Sequence, residues 1–310
     1  MSSRRGLAVA GVLGVALATT GAVAGGQELF QFVISASDAK GRPVTDLRRE
    51  EVLMTENGAA TEIVKLEPFR LPVELTIAVD NGPLSRDSLS HYRFGLTGLV
   101  RALPADVEVT ILSISPQPRM VVRPTTDRQQ ILRAVNGFAP EDDSPRFTDA
   151  LVEFARRYQE ELQRSRNVDS IPVLVLISTS ANEAVSYEVP EISNAIEFLR
   201  TRRARVYVTM TKSMVDREGF SPLNSARQTL IGIPATEATG GRYEALATSS
   251  GLRKLLPELG QEIAALHRKH ANQFVVTAQR PEGITGPLRN PRIELARPGL
   301  TGQVSLTGLP

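Results

Sequence analysis

The sequence predicts an α/β protein: a doubly wound, mostly parallel sheet flanked by small β-rich segments at both ends. Three observations predict it. Short apolar runs at residues 73–79, 107–114, 173–177 and 206–210 alternate with segments of helical spacing. Those runs are apolar at nearly every position, as strands buried on both faces of a parallel sheet are, whereas a half-exposed strand alternates. Outside residues 73–270 the helical spacing disappears, leaving strand patterns separated by turn residues.

The elements follow in order. Residues 28–68 form a small β-rich unit. Its first strand shows imperfect alternation at Leu29, Phe30, Phe32, Ile34 and Ala36. Lys40-Gly41-Arg42-Pro43 is a turn, and Asp46 can cap a single helical turn over residues 47–50. The strand at residues 52–56 runs into Asn57-Gly58, a two-residue hairpin signal, and returns over residues 61–66. In residues 73–270, Leu89, Tyr92, Leu96, Leu99, Val100 and Leu103 mark the first helix. After the strand at residues 107–114 comes a short one at residues 120–123, then a helix capped by Asp127. A long helix spans residues 148–165, and 173–177 is the most apolar strand. Helices at residues 191–202 and 225–238 bracket the strand at 206–210, and a short strand follows at 242–245. The last helix covers residues 250–270, with Pro257 in its first turn or at a kink. Residues 271–300 form a C-terminal β-segment whose two strands, 273–278 and 292–295, suit a hairpin; residues 301–310 read as a loose tail.

The chain starts Met1-Ser2-Ser3-Arg4-Arg5, continues with an Ala/Gly/Val/Leu-rich run and reaches Ala22-Val23-Ala24. A short basic start, an apolar stretch and small residues at its end make residues 1–24 a signal peptide and the protein secreted or periplasmic. The alternative is a retained membrane anchor, since the run is about as long as a minimal spanning helix. The formal net charge of +2 comes from 36 basic and 34 acidic residues. Without Arg4 and Arg5 the two counts are equal, so no field favours a nucleic acid as partner. There are no cysteines, which excludes disulfides, thiolate metal sites and a cysteine nucleophile.

In a sheet of this kind ligands bind beyond the carboxyl ends of the strands. There the run Leu75-Thr76-Ile77-Ala78-Val79 ends on Asp80, followed by Asn81-Gly82-Pro83-Leu84. This resembles the first strand of a von Willebrand factor A domain, in which the family pattern Asp-x-Ser-x-Ser holds a divalent cation. The resemblance implies a metal-ion-dependent adhesion site, but Gly82 and Leu84 stand at both serine positions. The family's threonine before the third helix falls on Pro145, with Ser144 or Thr148 as substitutes only if the loop shifts register. Its aspartate after the central strand falls on Thr179. Of the five side chains that the resemblance implies, Asp80 alone remains, and Mg²⁺ or Ca²⁺ wants several hard oxygens.

Further blocks are similar to those of the secreted von Willebrand A-related proteins abundant in Acidobacteria: Gly41-Arg42-Pro43-Val44-Thr45-Asp46-Leu47, Glu56-Asn57-Gly58, Ala238-Thr239-Gly240-Gly241-Arg242-Tyr243 and Arg297-Pro298-Gly299-Leu300. The resemblance spans roughly residues 28–300 and implies a β-unit before the A domain and a β-segment after it.

These observations lead to a non-enzymatic binding or scaffolding module with a degenerate cation site, no cofactor and an unidentified protein partner. Its contact surface would include Asp80, Asn81, Asp142, Asp143, Ser144, Thr148 and Thr179. The alternative is a metal-dependent adhesion protein in which Asp80, Asp142 and Asp143, with Glu141 and Glu183 nearby, rebuild a Mg²⁺ or Ca²⁺ site. His267 and His270 sit at i and i+3 on a helix, close enough to share a metal, but flanking cations direct them to the helix's negative end. The arginine run from Arg200 to Arg205 has the same helix-end reading, with an anion patch as its alternative. Thr239-Gly240-Gly241 lacks the Lys-Ser/Thr of a phosphate loop and reads as a turn. A hydrolase would have only Asp80 and scattered histidines such as His91 behind it, with no nucleophile elbow.

Overall fold

The computed structural model describes residues 29–164, 170–180, 183–212, 222–280, 282 and 289–305. The proposed signal segment lies outside them. Among the described residues no helix is long and apolar enough to cross a membrane. The chain divides into two compact units, Leu71–Ala271 and the two flanks, Met1–Arg70 with Asn272–Pro310.

The central unit is α/β with a mixed six-stranded sheet. Its strands are β4 (Val73–Val79), β5 (Glu108–Ser113), β6 (Arg119–Thr125), β7 (Ile171–Ser180), β8 (Arg205–Lys212) and β9 (Tyr243–Leu246). The order is β6-β5-β4-β7-β8-β9, parallel throughout except for β6, which pairs antiparallel with β5. Strand β7 is buried from Ile171 to Thr179, which explains why it reads as one unbroken apolar run.

Six helices accompany the sheet: α1 (Leu89–Ala102), α2 (Arg128–Asn136), α3 (Phe147–Arg164), α4 (Val189–Thr201), α5 (Pro222–Thr239) and α6 (Leu252–His270). One group, α3, α4 and α5, packs together; the other is α1 with α2 and α6. Alternation along the strands supplies both faces. Ala78, Leu112, Leu174, Leu176, Val206 and Val208 share one core with Phe147, Leu151 and Leu199. Asp127 caps α2 as expected, accepting from the N–H groups of Gln129 and Gln130 at 2.8 and 3.1 Å. Pro257 lies in the second turn of α6, facing Gly98 of α1.

The flanks form one antiparallel sheet. Strands β1 (Leu29–Ser37), β2 (Val52–Glu56), β3 (Ala59–Phe69), β10 (Gln273–Gln279), β11 (Pro291–Leu295) and β12 (Thr301–Ser305) run in the order β11-β2-β3-β10-β1-β12. The expected hairpin of residues 273–278 and 292–295 does not form. Strand β10, buried over six of its seven residues, takes a central place between β3 and β1, while β11 pairs with β2. Burial decides this: backbone N–H and C=O groups buried along both edges of a strand need a hydrogen-bonding neighbour on each. Residues 301–305 likewise are not a loose tail but an edge strand on β1. The Asn57-Gly58 turn joins β2 to β3, both residues at positive φ (52° and 87°).

Two local expectations are corrected in this unit. The helical turn before β2 is a 3-10 turn at Arg49–Glu51, one to two residues late. Asp46 does not cap it; its carboxylate accepts from Arg297 Nη1 at 2.9 Å. At the end of β2, Glu56 is fully buried and meets Arg280 in a two-pronged ion pair, with Arg280 Nε donating at 2.9 Å.

Candidate functional site

The carboxyl ends of β4, β5 and β7 bring Asp80, the residues after Ser113 and the pair Ser178-Thr179 together. Asp80 is 1% exposed, and each of its carboxylate oxygens accepts two hydrogen bonds. Oδ1 takes the Gly82 N–H at 2.8 Å and the Ser115 hydroxyl at 3.5 Å. Oδ2 takes the Ser178 hydroxyl and the Thr179 N–H, both at 3.0 Å. Burial pushes the Asp80 carboxyl up, and these four donors oppose it. None of its partners is a cation or a histidine.

Beneath Asp80 the polar network continues inward. The Tyr92 hydroxyl, from α1, lies 3.0 Å from Thr179 Oγ1 and 3.4 Å from Thr211 Oγ1. Burial, with the Asp80 charge, pushes that phenol up as well. Thr179, expected as a contact residue, is fully buried: its N–H serves Asp80 and its hydroxyl serves Tyr92.

Asn81 is also internal, at 3% exposed. Its Nδ2 donates to Ala139 O at 2.9 Å, its Oδ1 accepts from the Ser113 hydroxyl at 2.7 Å, and its carbonyl accepts from the Glu141 N–H at 2.7 Å. It therefore fastens the loop before α3 to the strand ends. Gly82 sits where that loop passes. A Cβ on Gly82 would lie 2.9 Å from Asp143 O, 3.1 Å from Ser115 Oγ and 3.2 Å from Asp80 Oδ1. The serine absent from this position in the sequence would have no room for its side chain.

The acidic loop turns outward. The Asp142 side chain is 93% exposed and pairs with Arg86 at 3.0 Å; Glu141 pairs with Arg119 at 3.1 Å. Asp143 is exposed and accepts the Ser144 N–H at 2.7 Å, a local turn bond. Neither Asp142 nor Asp143 shares a hydrogen-bond donor with Asp80. Pro145 is buried, and its carbonyl accepts the Ala184 N–H at 3.2 Å.

Thr148, fully buried at the start of α3, gives its N–H to Glu183 Oε2 at 2.8 Å and its hydroxyl to Glu183 Oε1 at 2.7 Å. Glu183 thus serves as the acceptor for a helix start. Burial raises its carboxyl, and the Thr148 bonds oppose that. Next to it, Asp149 accepts from the Ser186 N–H at 2.9 Å and from Arg146 at 3.1 Å. Arg146 also reaches Pro116 O at 2.8 Å and Ser186 Oγ at 2.7 Å, tying three loops together.

Among the described residues no group of three or more His, Asp or Glu side chains is arranged to hold a metal ion. Ser115, Thr211 and Arg146 escaped the sequence reading, which placed Tyr92 on the first helix but not in this network. The Arg146/Asp149 spacing was a visible signal, whereas Ser115 and Thr211 meet their partners only across the sheet.

The other sequence candidates have structural partners. His267 does not serve the helix end; it is 2% exposed, with Nδ1 accepting from the Val73 N–H at 3.2 Å and Nε2 lying 3.1 Å from Asp106 Oδ2. Arg200 stands in the last turn of α4, the helix end expected for it, and donates from Nε to Glu197 at 2.7 Å. Arg205 meets a second helix end, donating to Thr239 O and Gly240 O at the end of α5. Gly240 sits at φ +66°, consistent with a turn.

No protein-family model matches the chain, and no curated protein matches it. Solved structures similar to it include a von Willebrand factor type A protein from Catenulispora acidiphila, 10% identical, covering 91% of this chain and 74% of that one at a TM-score of 0.47. A conserved hypothetical protein, BatB, from Bacteroides thetaiotaomicron is 13% identical over 62% of this chain and 98% of its own, at 0.46. Proximal thread matrix protein 1 from the mussel byssus, in a form with a zinc-occupied metal-ion-dependent adhesion motif, is 10% identical over 65% of this chain and 50% of its own, at 0.46. At these identities and scores the likenesses carry no statement about ligand or partner.

Proposed function

We propose that the chain is an exported, non-enzymatic protein-interaction module of von Willebrand A type in which the cation site has become a structural bracket. The observation that carries this reading is Asp80, whose two oxygens each accept two internal hydrogen bonds at 1% exposure. A Mg²⁺ or Ca²⁺ ion needs six or more oxygen ligands, charged ones among them. Here the residues do not fit one. The buried Asp80 carboxylate is already satisfied, the Gly82 position has no space for a ligating side chain, and Asp142 and Asp143 face solvent. The Ser178 hydroxyl, which donates to Asp80 Oδ2, is fully buried, which leaves a substrate no approach to it as a nucleophile.

Without a metal, partner binding rests on the shape and side chains of the outer loops. Arg86, Arg119, Glu141 and Asp142 form a ridge of paired, opposite charges there, suited to a polar protein surface. Export rests on residues 1–24.

Thermal unfolding with EDTA, and with millimolar Mg²⁺, Ca²⁺ or Mn²⁺, tests the reading. The expected result is the same midpoint in all four. A ligand at about 100 times its dissociation constant adds about 2.7 kcal/mol, which moves the midpoint by several degrees. A rise of that size with one ion, absent from Asp80→Asn, would overturn the closed bracket in favour of metal-dependent adhesion.

A further inference from the structure

Helix α5 reverses the usual distribution of side chains. Its inward face carries small or polar residues: Gln228, Ala235, Thr236 and Thr239 are all buried. Gly232 shows why that face stays small, since a Cβ there would lie 2.9 Å from the Tyr243 ring. The larger apolar side chains point the other way. Leu230 is 72% exposed and Ile233 37%, with Pro234 exposed beside them. Single exposed apolar residues are ordinary, but a contiguous stripe marks a surface that another molecule covers.

The stripe has charged ends of opposite sign. Arg227, Leu230, Pro234 and Glu237 follow one another at steps of three, four and three residues, which sets them in one line along the helix. All four are exposed. Among the described residues neither Arg227 nor Glu237 makes an ion pair; Arg227 lies only near enough to Glu183 to favour its charged form. The line is symmetric about Gly232 in every respect but the sign of charge. Arg227 lies five residues before it and Glu237 five after, Leu230 two before and Pro234 two after.

We propose that this stripe pairs with the same stripe on a second copy of the chain, the two α5 helices lying antiparallel about a twofold axis level with Gly232. In that arrangement Arg227 of each copy meets Glu237 of the other, and Leu230 meets Pro234. Ile233 comes beside the axis, near its own counterpart. The charges select the orientation. A parallel pairing would set Arg227 against Arg227 and Glu237 against Glu237, which repel, whereas the antiparallel one makes two opposite pairs. The stripe is thus its own complement, which is what a twofold contact requires. The pairing makes no use of Asp80 and stands independently of the role proposed for it.

Sedimentation equilibrium of the full chain in low salt is the test. One helix from each copy makes a small interface, so the expected dissociation constant is on the order of 100 μM. Leu230→Glu, at an exposed position, should leave the circular dichroism spectrum unchanged and weaken association about tenfold or more. Arg227→Glu and Glu237→Arg should each weaken it about tenfold, because like charges then face each other between the copies. Mixing these two variants restores opposite charges at both ends and should recover the association of the parent. A parallel pairing would instead leave each single charge variant as strongly associated as the parent, and would overturn the proposed arrangement. Association that survives Leu230→Glu would also overturn it. A chain still monomeric at about 1 mM, tenfold above the expected constant, would overturn self-pairing and leave the stripe to a partner of another sequence.

Discussion

Asp80 is a buried carboxylate held entirely by internal donors. An acceptor-only group is required here, because backbone N–H groups approach from both sides: Gly82 on Oδ1 and Thr179 on Oδ2. Asp80→Asn keeps the shape but turns an NH₂ toward one of those donors. It should cost about 1–3 kcal/mol, the penalty for a buried unsatisfied donor, read as a lower urea midpoint at unchanged slope. The sequence shows the carboxylate but not that Ser115, Ser178 and two backbone amides hold it. The identity of Asp80 and its position at a strand tip were legible. Its partners, 35, 98 and 99 residues away for Ser115, Ser178 and Thr179, were not.

At the scale of elements, the crossing of α1 and α6 rests on glycines that helix propensity alone would replace. A Cβ on Gly260 would lie 2.6 Å from Leu99 O, and one on Gly95 the same distance from Leu252 O. Gly260→Ala improves helix propensity by about 1 kcal/mol, yet overpacking costs about 1–3 kcal/mol. The variant should therefore unfold at lower denaturant than the parent, while an alanine at exposed Gly58 tests turn strain instead. In the flanking sheet, Arg297 grips Glu51 through two bonds of 2.7 Å and Asp46 through one of 2.9 Å to its carboxylate and one of 3.1 Å to its carbonyl. That grip draws the Glu51 carboxyl from 4.5 down to about 2. A depressed carboxyl contributes stability above the unfolded value and loses it as pH falls toward the folded one. The stability gap between the parent and Arg297→Met should thus close between pH 4.5 and about 2, as followed by urea unfolding at stepped pH. Helix and strand periods announced these elements; which helices would touch closely depended on side chains absent from both partners.

Across the whole molecule, the central unit interrupts the flanking sheet at a single place. Strands β3 and β10 pair antiparallel with Phe69 opposite Gln273, and residues 71–271 are the chain that connects them. Within the central unit, the Leu71 N–H donates to His270 O at 2.9 Å, which brings its own two ends together. Two consequences follow. Residues 71–271 expressed alone should fold cooperatively, with a mixed helix–strand circular dichroism spectrum. The flanks, with residues 71–271 replaced by a short Gly-containing turn, should keep a β spectrum and a single unfolding transition. Failure of the second while the first succeeds would mean that the flanking sheet depends on the central unit for its stability.

The sequence by itself determined the α/β class of the central unit, the order of its elements, the Asn57-Gly58 hairpin and the position of Asp80. Each of these is a local property, carried by the period of apolar residues or the backbone preference of a turn. Only the tertiary structure decided that β10, β11 and β12 join β1, β2 and β3 in one sheet. It alone decided that Asp142 and Asp143 face outward, and that Glu183 caps α3. The physical reason is the same throughout: burial and hydrogen-bond satisfaction are settled between segments that are distant in the chain, and local pattern carries no record of which distant donor meets which acceptor.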